Sequence, residues 1–268
     1  MAGGNTKALR VRIKSVSSTL QLTKAMELVA SSKIRRANEG MQRGREYAAA
    51  LVRTVDLLRR DKECLKSPYM QKRDTDRTRI VIIAGDRGLA GGYNANVFRL
   101  AREFPGAEFI PIGKRACERY NKEIVSSEDF SFDDASALAE TLCRDFAEEK
   151  YDRLAVIWTR YISVMTQEAT VTWLLPLERL SEETGTDAVF EPDRLTVLNS
   201  IAREYVAGML TVLARESFAS EVSARRMAMD SAGKNAAQMI DELQLEYNRA
   251  RQGAITQEIT EIVAGSGE

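Results

Sequence analysis

Apolar and small residues recur at alternating steps of four and three along the N-terminal part of the chain. The positions are Leu9, Ile13, Val16, Leu20, Thr23, Glu27, Ala30, Ile34, Ala37, Met41, Gly44, Ala48, Leu51, Val55 and Leu58. Such a rhythm keeps one stripe of a helix turned towards a partner helix. No proline lies between Met1 and Ser67, so nothing in this segment interrupts a helix. The pattern therefore predicts one long N-terminal helix.

The C-terminal part of the chain repeats this rhythm, with one 4-4-3 step that relaxes a supercoil locally. Its positions are Phe218, Val222, Arg225, Met229, Ala232, Ala236, Ile240, Leu243, Tyr247, Ala250 and Ala254. Because an isolated amphipathic helix is marginal in water, we expect the two ends to pair as a long antiparallel coiled coil. Fifty helical residues would extend about 75 Å, which predicts a protruding rod.

Between these helices, short apolar runs alternate with helical segments. The runs predict strands at 79–84, 108–112, 154–159 and 170–175. Pro176 is expected to end the last of them, an edge strand. Alternation of strands and helices is typical of parallel sheets covered by helices. We therefore predict an inserted Rossmann-like α/β domain.

Helices are expected within this domain at 94–104, 113–123 and 133–149. Asn94 is the predicted N-cap of the first, and Asp133 or Asp134 that of the third. A polar linker at 66–79 and a loop at 181–192 bound the domain. The predicted domains are an N-terminal coiled-coil helix at 1–65, a central α/β domain at 66–192 and a C-terminal coiled-coil helix at 193–268.

Composition narrows the function classes. The chain has 39 basic and 39 acidic residues, which argues against a nucleic-acid partner, and it has no histidine, the commonest general base. Three cysteines (Cys64, Cys117 and Cys143) show no metal-binding spacing and no CxxC pair, so reduced intracellular thiols are expected. No signal peptide and no apolar stretch of membrane-spanning length are evident, which indicates a soluble protein that can dock on a membrane complex.

Basic residues cluster on the predicted N-terminal helix. They are Lys33, Arg35, Arg36, Arg43 and Arg45. Two interpretations stay open, a solvated helix face and a surface that attracts an acidic protein partner.

A glycine-rich segment at 85–92 follows the first strand and precedes a helix, where phosphates bind in many α/β folds. Its spacing is GxxGxxGG rather than GxGxxG, and the chain contains no GxxxxGK[ST] motif, so no cofactor is expected. One alternative is a tight turn that needs positive φ at several positions. Another is a protein-contact loop flanked by Asp86 and Arg87 that offers Tyr93 and exposed amides.

Three blocks of residues resemble the gamma subunit of F-type ATP synthases. The N-terminal block comprises 13–16 and 22–33, the central block 85–94, and the C-terminal block 242–252 and 254–262. They occur in the order found in that family and span nearly the whole chain.

The resemblance implies a central rotor stalk that couples proton-driven rotation of a membrane ring of c subunits to ATP synthesis or hydrolysis. It implies three alpha and three beta subunits around the coiled coil, and an epsilon subunit beside the globular base. Catalytic residues would belong to beta, so no catalytic site, cofactor or metal is expected here. The absence of a transit peptide before Leu9 favours a peripheral subunit at the cytoplasmic face of a bacterial inner membrane, touching the membrane only through the c-ring.

The resemblance also implies two sets of contact residues. Those expected to meet the alpha/beta hexamer are Lys24, Met26, Lys33, Arg35, Arg36, Arg225, Arg251, Gln252, Ile255, Thr256, Glu258, Ile259 and Ile262, with Val263 beside them at the tip. Those expected to meet the c-ring and epsilon are Asp86, Arg87, Tyr93, Phe190 and Glu191. Phe190 stands where the family has tyrosine, which removes any contact through a hydroxyl. The family's plastid members carry a redox switch of two nearby cysteines, and this chain has no such pair, so thiol gating is not expected.

Other interpretations of these residues stay open. Met26 lies off the predicted stripe and could pack in a core, Arg225 could snorkel with its head in water, and the C-terminal isoleucines could serve ordinary helix packing. Two other functions compete with the rotor. One is a nucleotide-binding enzyme that uses its helices as a dimerisation arm, and the other is a static coiled-coil adaptor.

Overall fold

The structure is a computed structural model that describes residues 2–73, 75–180 and 188–265. Helix α1 spans Ala2–Leu58 and helix α5 spans Arg194–Gly265. The two long terminal helices are therefore present as predicted. Most of the loop predicted at 181–192 lies outside the described residues. Among the described helices, none combines the length and the apolar character needed to cross a bilayer.

The elements between α1 and α5 form an α/β arrangement. Two short 3-10 turns follow α1, which ends before the residue 65 predicted for it. Glu63–Lys66 overlaps the predicted linker only at Lys66, and Pro68–Met70 lies within it. The following elements are β1 (Thr78–Ile83), α2 (Tyr93–Ala101), β2 (Glu108–Ile112), α3 (Lys114–Tyr120), α4 (Phe132–Ala147), β3 (Arg153–Tyr161) and β4 (Gln167–Leu175). All four predicted strands are confirmed, and the bounds of β2 match the prediction.

The strands form one sheet in the order β2-β1-β3-β4. Strand β1 pairs in parallel with β2 and β3, while β4 pairs with β3 in antiparallel fashion at the edge. The mostly parallel sheet with an edge strand before Pro176 is therefore confirmed. Because side chains alternate along a strand, β1 contributes to two cores. Val81 and Ile83 pack in the core that contains α4 and α5 residues, whereas Ile80 and Ile82 pack in the core that contains α2 residues.

Two predicted helix caps are wrong. Helix α2 begins at Tyr93 with Gly92 as N-cap. The Asn94 side chain instead accepts a hydrogen bond from Gly85 N at 2.9 Å, so it holds the preceding loop rather than the helix end. Helix α4 is capped by Ser131, whose hydroxyl accepts from Asp134 N, while the Asp134 carboxylate accepts from Ser131 N. Asp134 is thus the third residue of a capping box and not the cap.

The α-helical segments of the domain are also shorter than predicted. Helix α2 stops at Ala101, α3 at Tyr120 and α4 at Ala147. Asn121 follows α3 with φ 51°, the left-handed conformation that commonly ends a helix. The residues that follow each helix form turns. In the sequence they resemble a continuation of the helix, because they are mostly polar and contain no proline.

The chain packs as two compact units. The first, here called the terminal unit, comprises Met1–Ala30 and Arg226–Glu268, and the second, the sheet unit, comprises Ser31–Arg225. This grouping follows packing rather than chain segments, and the three-domain division above stays a prediction.

In the terminal unit, α1 and α5 pair through the predicted stripes. Thr23 is buried, and a Cβ atom at Gly233 would lie 3.5 Å from its Oγ1. Farther along, Arg10 Nη2 donates to the Tyr247 hydroxyl at 2.7 Å. Thr23 lies near Gly233, whereas Arg10, closer to the start of α1, bonds to Tyr247, closer to the end of α5. The pairing is therefore antiparallel, as predicted.

In the sheet unit, the same two helices approach even more closely. A Cβ atom at Gly208 would lie 2.3 Å from Leu51 Cδ1, and one at Gly44 would lie 3.5 Å from Val212 Cγ1. Every predicted stripe residue from Leu9 to Leu58 is buried or half-buried. The α1 stripe was therefore identified correctly, whereas the closest approach is at Gly208 of α5, which lies outside the stripe predicted for that helix.

One glycine of the sheet unit predicts a large loss of stability. Gly113 has φ 95°, and a Cβ atom there would lie 1.9 Å from the Ala84 carbonyl oxygen. We expect Gly113→Ala to lower the free energy of unfolding by about 2–4 kcal/mol for two reasons. Alanine is strained at this positive φ, and its Cβ would clash with a main-chain carbonyl that cannot move aside. Urea unfolding of the purified chain measures this loss.

The matched control is Gly106→Ala, since no atom lies within 4 Å of a Cβ built at Gly106. This control should unfold at nearly the same urea concentration as the unmodified chain. Equal midpoints for the two variants would contradict the assigned geometry of Gly113.

Candidate functional site

The carboxyl edge of the parallel strands is the usual ligand site of an α/β fold, and here α5 lies against it. Thr159, near the end of β3, donates its N–H to Ser217 Oγ at 3.1 Å and accepts from Ser220 Oγ at 3.1 Å. The Tyr93 hydroxyl, at the start of α2, donates to the Ser217 carbonyl oxygen at 3.0 Å. Polar groups at this edge are thus used by the chain itself.

Glu221 of α5 occupies the place of an anion at the glycine-rich loop. A Cβ atom at Gly85 would lie 2.6 Å from Glu221 Cδ, so a side chain at this position would displace the carboxylate. The Arg87 N–H donates to the same carboxylate. The Glu221 residue is only 3% exposed. No pattern in the sequence predicts this pairing, because Glu221 lies far along the chain in a helix.

This arrangement corrects the tight-turn interpretation of the loop. Positive φ occurs at Gly91 (57°) and at Leu89 (61°), which is not a glycine. Gly85 and Gly88 do not adopt it. Positive φ therefore occurs at two positions of the loop, of which only Gly91 is a glycine, and Gly85 instead leaves room for the close approach of Glu221.

Arg225 neutralises the buried carboxylate. Its Nη2 atom lies 2.5 Å from Glu221 Oε1 and 3.3 Å from the Gly88 carbonyl oxygen. Burial raises the pKa of Glu221 above its usual value, and the Arg225 guanidinium opposes this rise. Because the Arg225 side chain is only 12% exposed, the snorkelling interpretation of this residue is wrong.

Asp86 organises the loops next to this pair. Its carboxylate accepts from Lys114 N at 3.0 Å, Ser127 N at 2.9 Å, Glu128 N at 3.0 Å and Ser126 Oγ at 2.8 Å. Burial acts to raise the pKa of Asp86, but these hydrogen bonds outweigh it and leave the pKa below its usual value. Asp86 therefore joins three chain segments within the sheet unit.

A second charged cluster joins α1, β3 and α5. Arg45 Nε and Nη2 donate to the Glu216 carboxylate at 3.0 and 2.6 Å, and Nη2 also donates to the Tyr161 carbonyl oxygen at 2.8 Å. The Tyr161 N–H donates to Glu216 Oε1 at 3.0 Å. The backbone of β3 thus continues its hydrogen bonding into the two helices.

Several predicted contact residues of the sheet unit lie at its surface. Arg35, Arg36 and Arg87 are exposed, and Lys33 is half-buried and forms an ion pair with Glu128. Arg43 and Arg215, with Lys33, Arg36 and Phe218, line a cleft of about 710 Å³. Tyr93 is only 5% exposed, so the prediction that the loop offers this ring to a partner is wrong.

Near the start of α5, Phe190 is half-buried and Glu191 is exposed. The Arg194 guanidinium lies 5.8 Å from the centre of the Phe190 ring and donates to Asp61 Oδ2 at 2.5 Å. The segment before α5 is thus attached to the end of α1.

The terminal unit carries two apolar surfaces that are not covered within the described chain. On α1, Leu22 is 60% exposed and Val29 is 57% exposed, and half-buried Met26 lies between them. At the end of α5, every residue from Ile255 to Ala264 is exposed, including Ile259 and Ile262. The other predicted residues of this unit, Lys24, Arg251, Gln252, Thr256 and Glu258, are exposed as well.

Cysteine and metal chemistry find no place among the described residues. Cys64, Cys117 and Cys143 are buried free thiols. Burial raises the pKa of Cys64 to about 11 and that of Cys143 to about 12, so neither thiol is reactive near neutral pH. No group of three His, Cys, Asp or Glu residues in the described ranges has the geometry of a metal site.

Comparisons with known proteins agree along the whole chain. A family model described as ATP synthase matches residues 5–267. The ATP synthase gamma chain of Geobacter sp. (strain M21) is 38% identical over 282 residues, covering 98% of each chain. That of Ruminococcus albus is 40% identical over 281 residues, also covering 98% of each chain.

Solved structures share the fold at lower identity. A chain of the mitochondrial ATP synthase of Euglena gracilis matches with a TM-score of 0.69 at 19% identity, over 98% of this chain and 94% of that one. A chain of the central stalk and c-ring of the Tetrahymena thermophila enzyme matches with a TM-score of 0.62 at 23% identity, over 79% and 99%.

The Asp86 hydrogen bonds predict a pH-dependent stability. We expect Asp86→Asn to lower the free energy of unfolding by about 1–3 kcal/mol near neutral pH. Both carboxylate oxygens of Asp86 accept hydrogen bonds, whereas the amide NH2 group of asparagine would face N–H and O–H donors. A carboxyl group with a lowered pKa stabilises the fold above its unfolded pKa of about 3.9 and loses this effect as pH falls. The deficit of the variant should therefore shrink on acidification.

Urea unfolding of the unmodified chain and of Asp86→Asn between about pH 7 and pH 3 measures the difference in their free energies of unfolding. Asp241→Asn is the control, since Asp241 is exposed on α5. A deficit that stays constant over the whole pH range would show that the Asp86 charge is not what holds the loops.

Proposed function

The chain belongs to the family of ATP synthase gamma chains, which form the central rotor stalk of that complex, and from this premise we propose how its surfaces meet their partners. As the stalk, it couples proton-driven rotation of the c-ring to ATP synthesis or hydrolysis at the alpha/beta hexamer. Three alpha and three beta subunits surround the paired ends of α1 and α5. The epsilon subunit and the c-ring contact the sheet unit. Catalysis takes place in beta, and this chain supplies no catalytic residue.

The observation that carries this proposal is the pair of exposed apolar stripes in the terminal unit. Leu22, Met26 and Val29 follow the spacing i, i+4, i+7, and so do Ile255, Ile259 and Ile262. Each stripe therefore lies on one face of its helix. Since exposed apolar surface of this kind marks a binding site, a partner covers both stripes in the assembled protein.

Apolar contact suits a surface that turns against its partner. The hydrophobic effect has no preferred direction, whereas a hydrogen bond weakens steeply when its angle changes. Ile255, Ile259, Ile262 and Val263 at the end of α5 can thus slide within an apolar sleeve. Met26 has a flexible thioether side chain that adapts to a shifting contact with beta.

Polar residues set the remaining contacts with the hexamer. Lys24, Lys33, Arg35 and Arg36 present positive charge to acidic surfaces of beta. Exposed Arg251, Gln252, Thr256 and Glu258 offer hydrogen bonds close to the apolar end of α5. Arg225 differs from these residues, because its guanidinium is engaged with Glu221 and acts inside the chain.

The contacts with epsilon and the c-ring use exposed residues of the sheet unit. Arg87, Phe190 and Glu191 provide them, and Asp86 shapes the loop that carries Arg87. The protein is thereby a peripheral membrane component within the complex, at the cytoplasmic face of a bacterial membrane.

The competing nucleotide-binding function lacks a free site at the glycine-rich loop. Glu221 lies where a phosphate would bind, and it brings a negative charge that repels one. A static adaptor differs from a rotor in one measurable respect, the consequence of tethering it to the hexamer.

Tethering therefore tests the rotor assignment. Glu258→Cys places a thiol on an exposed position of α5, while the three native thiols are buried. We expect a disulfide or bifunctional link from this position to beta to reduce ATP turnover of the assembled complex by about tenfold or more, because each catalytic cycle needs the stalk to turn. Reduction of the link should restore turnover, and undiminished turnover in the linked complex would identify an adaptor.

A charge within the first apolar stripe tests the Met26 contact. We expect Met26→Lys to lower the number of protons pumped per ATP hydrolysed while leaving the yield of assembled complex nearly unchanged, because the new ammonium group pairs with acidic residues of beta and resists rotation. Membrane vesicles that carry the complex permit both measurements. Gln21→Lys, an exposed position on the same helix, is the matched control. Unchanged pumping per ATP in Met26→Lys refutes the contact.

A further inference from the structure

In the sheet unit, the glycine-rich loop contacts a carboxylate of the same chain, that of Glu221. The Glu221 carboxylate lies 2.6–3.0 Å from the position of a Cβ at Gly85 and accepts from the Arg87 N–H. Loops of this kind, between a strand and a helix, hold anions through backbone amides in other α/β proteins. Here the anion is fixed to α5. The loop–helix tie is defined as Gly85, Arg87, Glu221 and Arg225.

The loop–helix tie contains a buried ion pair, Glu221–Arg225. Glu221 and Arg225 are 3% and 12% exposed, on the residue and the side chain respectively, and their atoms approach to 2.5 Å. Removing one partner from such a pair leaves the other charge buried without compensation. Glu221 and Arg225 lie one turn apart on α5. Arg225 joins this pair to the loop, since its Nη2 donates to the Arg87 and Gly88 carbonyl oxygens at 3.4 and 3.3 Å.

The position of the tie matters because of how the sheet is connected. Within the sheet unit, β1 to β4 lie between α1 and α5 in the chain, and the loop of the tie follows β1, one of the two central strands. Forces on the sheet reach α5 through the apolar core that the two share and through the polar contacts at the carboxyl edge of the sheet, to which the tie belongs. The tie is the one that contains a buried carboxylate opposite the glycine-rich loop.

We propose that Glu221 is a built-in anionic ligand of the glycine-rich loop and that, as a positioning residue, it passes torque from the sheet to helix α5. The inference rests on the rotor function given above. It assigns Glu221 no contact with beta or with nucleotide. Its effect on coupling comes entirely from the fixed orientation of the loop relative to α5.

The experiment replaces Glu221 in the assembled complex. Glu221→Gln keeps the shape and removes the charge, and it should lower protons pumped per ATP by about twofold or more, because Arg225 loses its buried counter-charge and its position against the loop is no longer fixed. The yield of complex and the ATPase rate should stay close to those of the unmodified complex. Glu204→Gln, an exposed position on α5, is the control and should pump normally.

Rescue of pumping per ATP by a small added carboxylate distinguishes the proposed positioning role of Glu221 from a merely structural one. Glu221→Ala leaves a space beside the Arg87 N–H and Arg225 where acetate fits, and added acetate should restore pumping per ATP in this variant but not in Glu221→Gln. Chloride at the same ionic strength should not restore it. Normal pumping in both variants, or a loss that acetate leaves unchanged, overturns the proposal.

Gly85→Ala provides an independent route to the same tie. The added Cβ displaces the carboxylate without altering any charge. It should reduce coupling as Glu221→Ala does, and combining the two should cost no more than either alone. Additive losses would show that Gly85 and Glu221 act separately and would refute the tie. Normal pumping by the Glu204→Gln control separates failure of this inference from failure of the rotor assignment.

Discussion

The close approach of α1 and α5 is the constraint on which the rest of the structure depends. At Gly208, a single added carbon would lie 2.3 Å from Leu51 Cδ1, and Gly233 lies against Thr23 in the terminal unit. Small residues at these points allow two backbones to come within reach of each other's side chains. The pairing buries a stripe that neither helix could bury alone, so both helices depend on it for their length.

Given that pairing, the carboxyl edge of the sheet has a neighbour that an ordinary α/β domain lacks. The polar groups there bond to α5 through Ser217 and Ser220, and Tyr161, the last residue of β3, donates its N–H to Glu216. A site that binds a separate ligand in other folds has become an internal joint. The same geometry gives the glycine at residue 85 a role inside the chain, since it leaves room for the Glu221 carboxylate.

Much of this architecture could be predicted from the sequence because it depends on local periodicity. The stripes of α1 and α5 and the strand at Glu108–Ile112 are of this kind. Asn94 and Asp134 were misassigned because a polar residue near a helix start can bond to the helix or to a loop, and the sequence does not say which. Glu221 escaped notice because its partners, Gly85 and Arg87, are brought to it only by the tertiary fold.

The two kinds of contact divide the work of a rotor between them. Where α1 and α5 are held to each other, as at Arg45–Glu216, the contact is charged, short and only partly exposed. At the surfaces proposed to turn against a partner, apolar side chains are exposed along one face of each helix, Leu22 and Val29 on α1 and Ile255, Ile259 and Ile262 on α5. A stalk with this distribution resists twisting inside itself while offering little resistance at its bearing. Reversing the distribution would give a flexible shaft held fast by its partners, which could transmit no rotation at all.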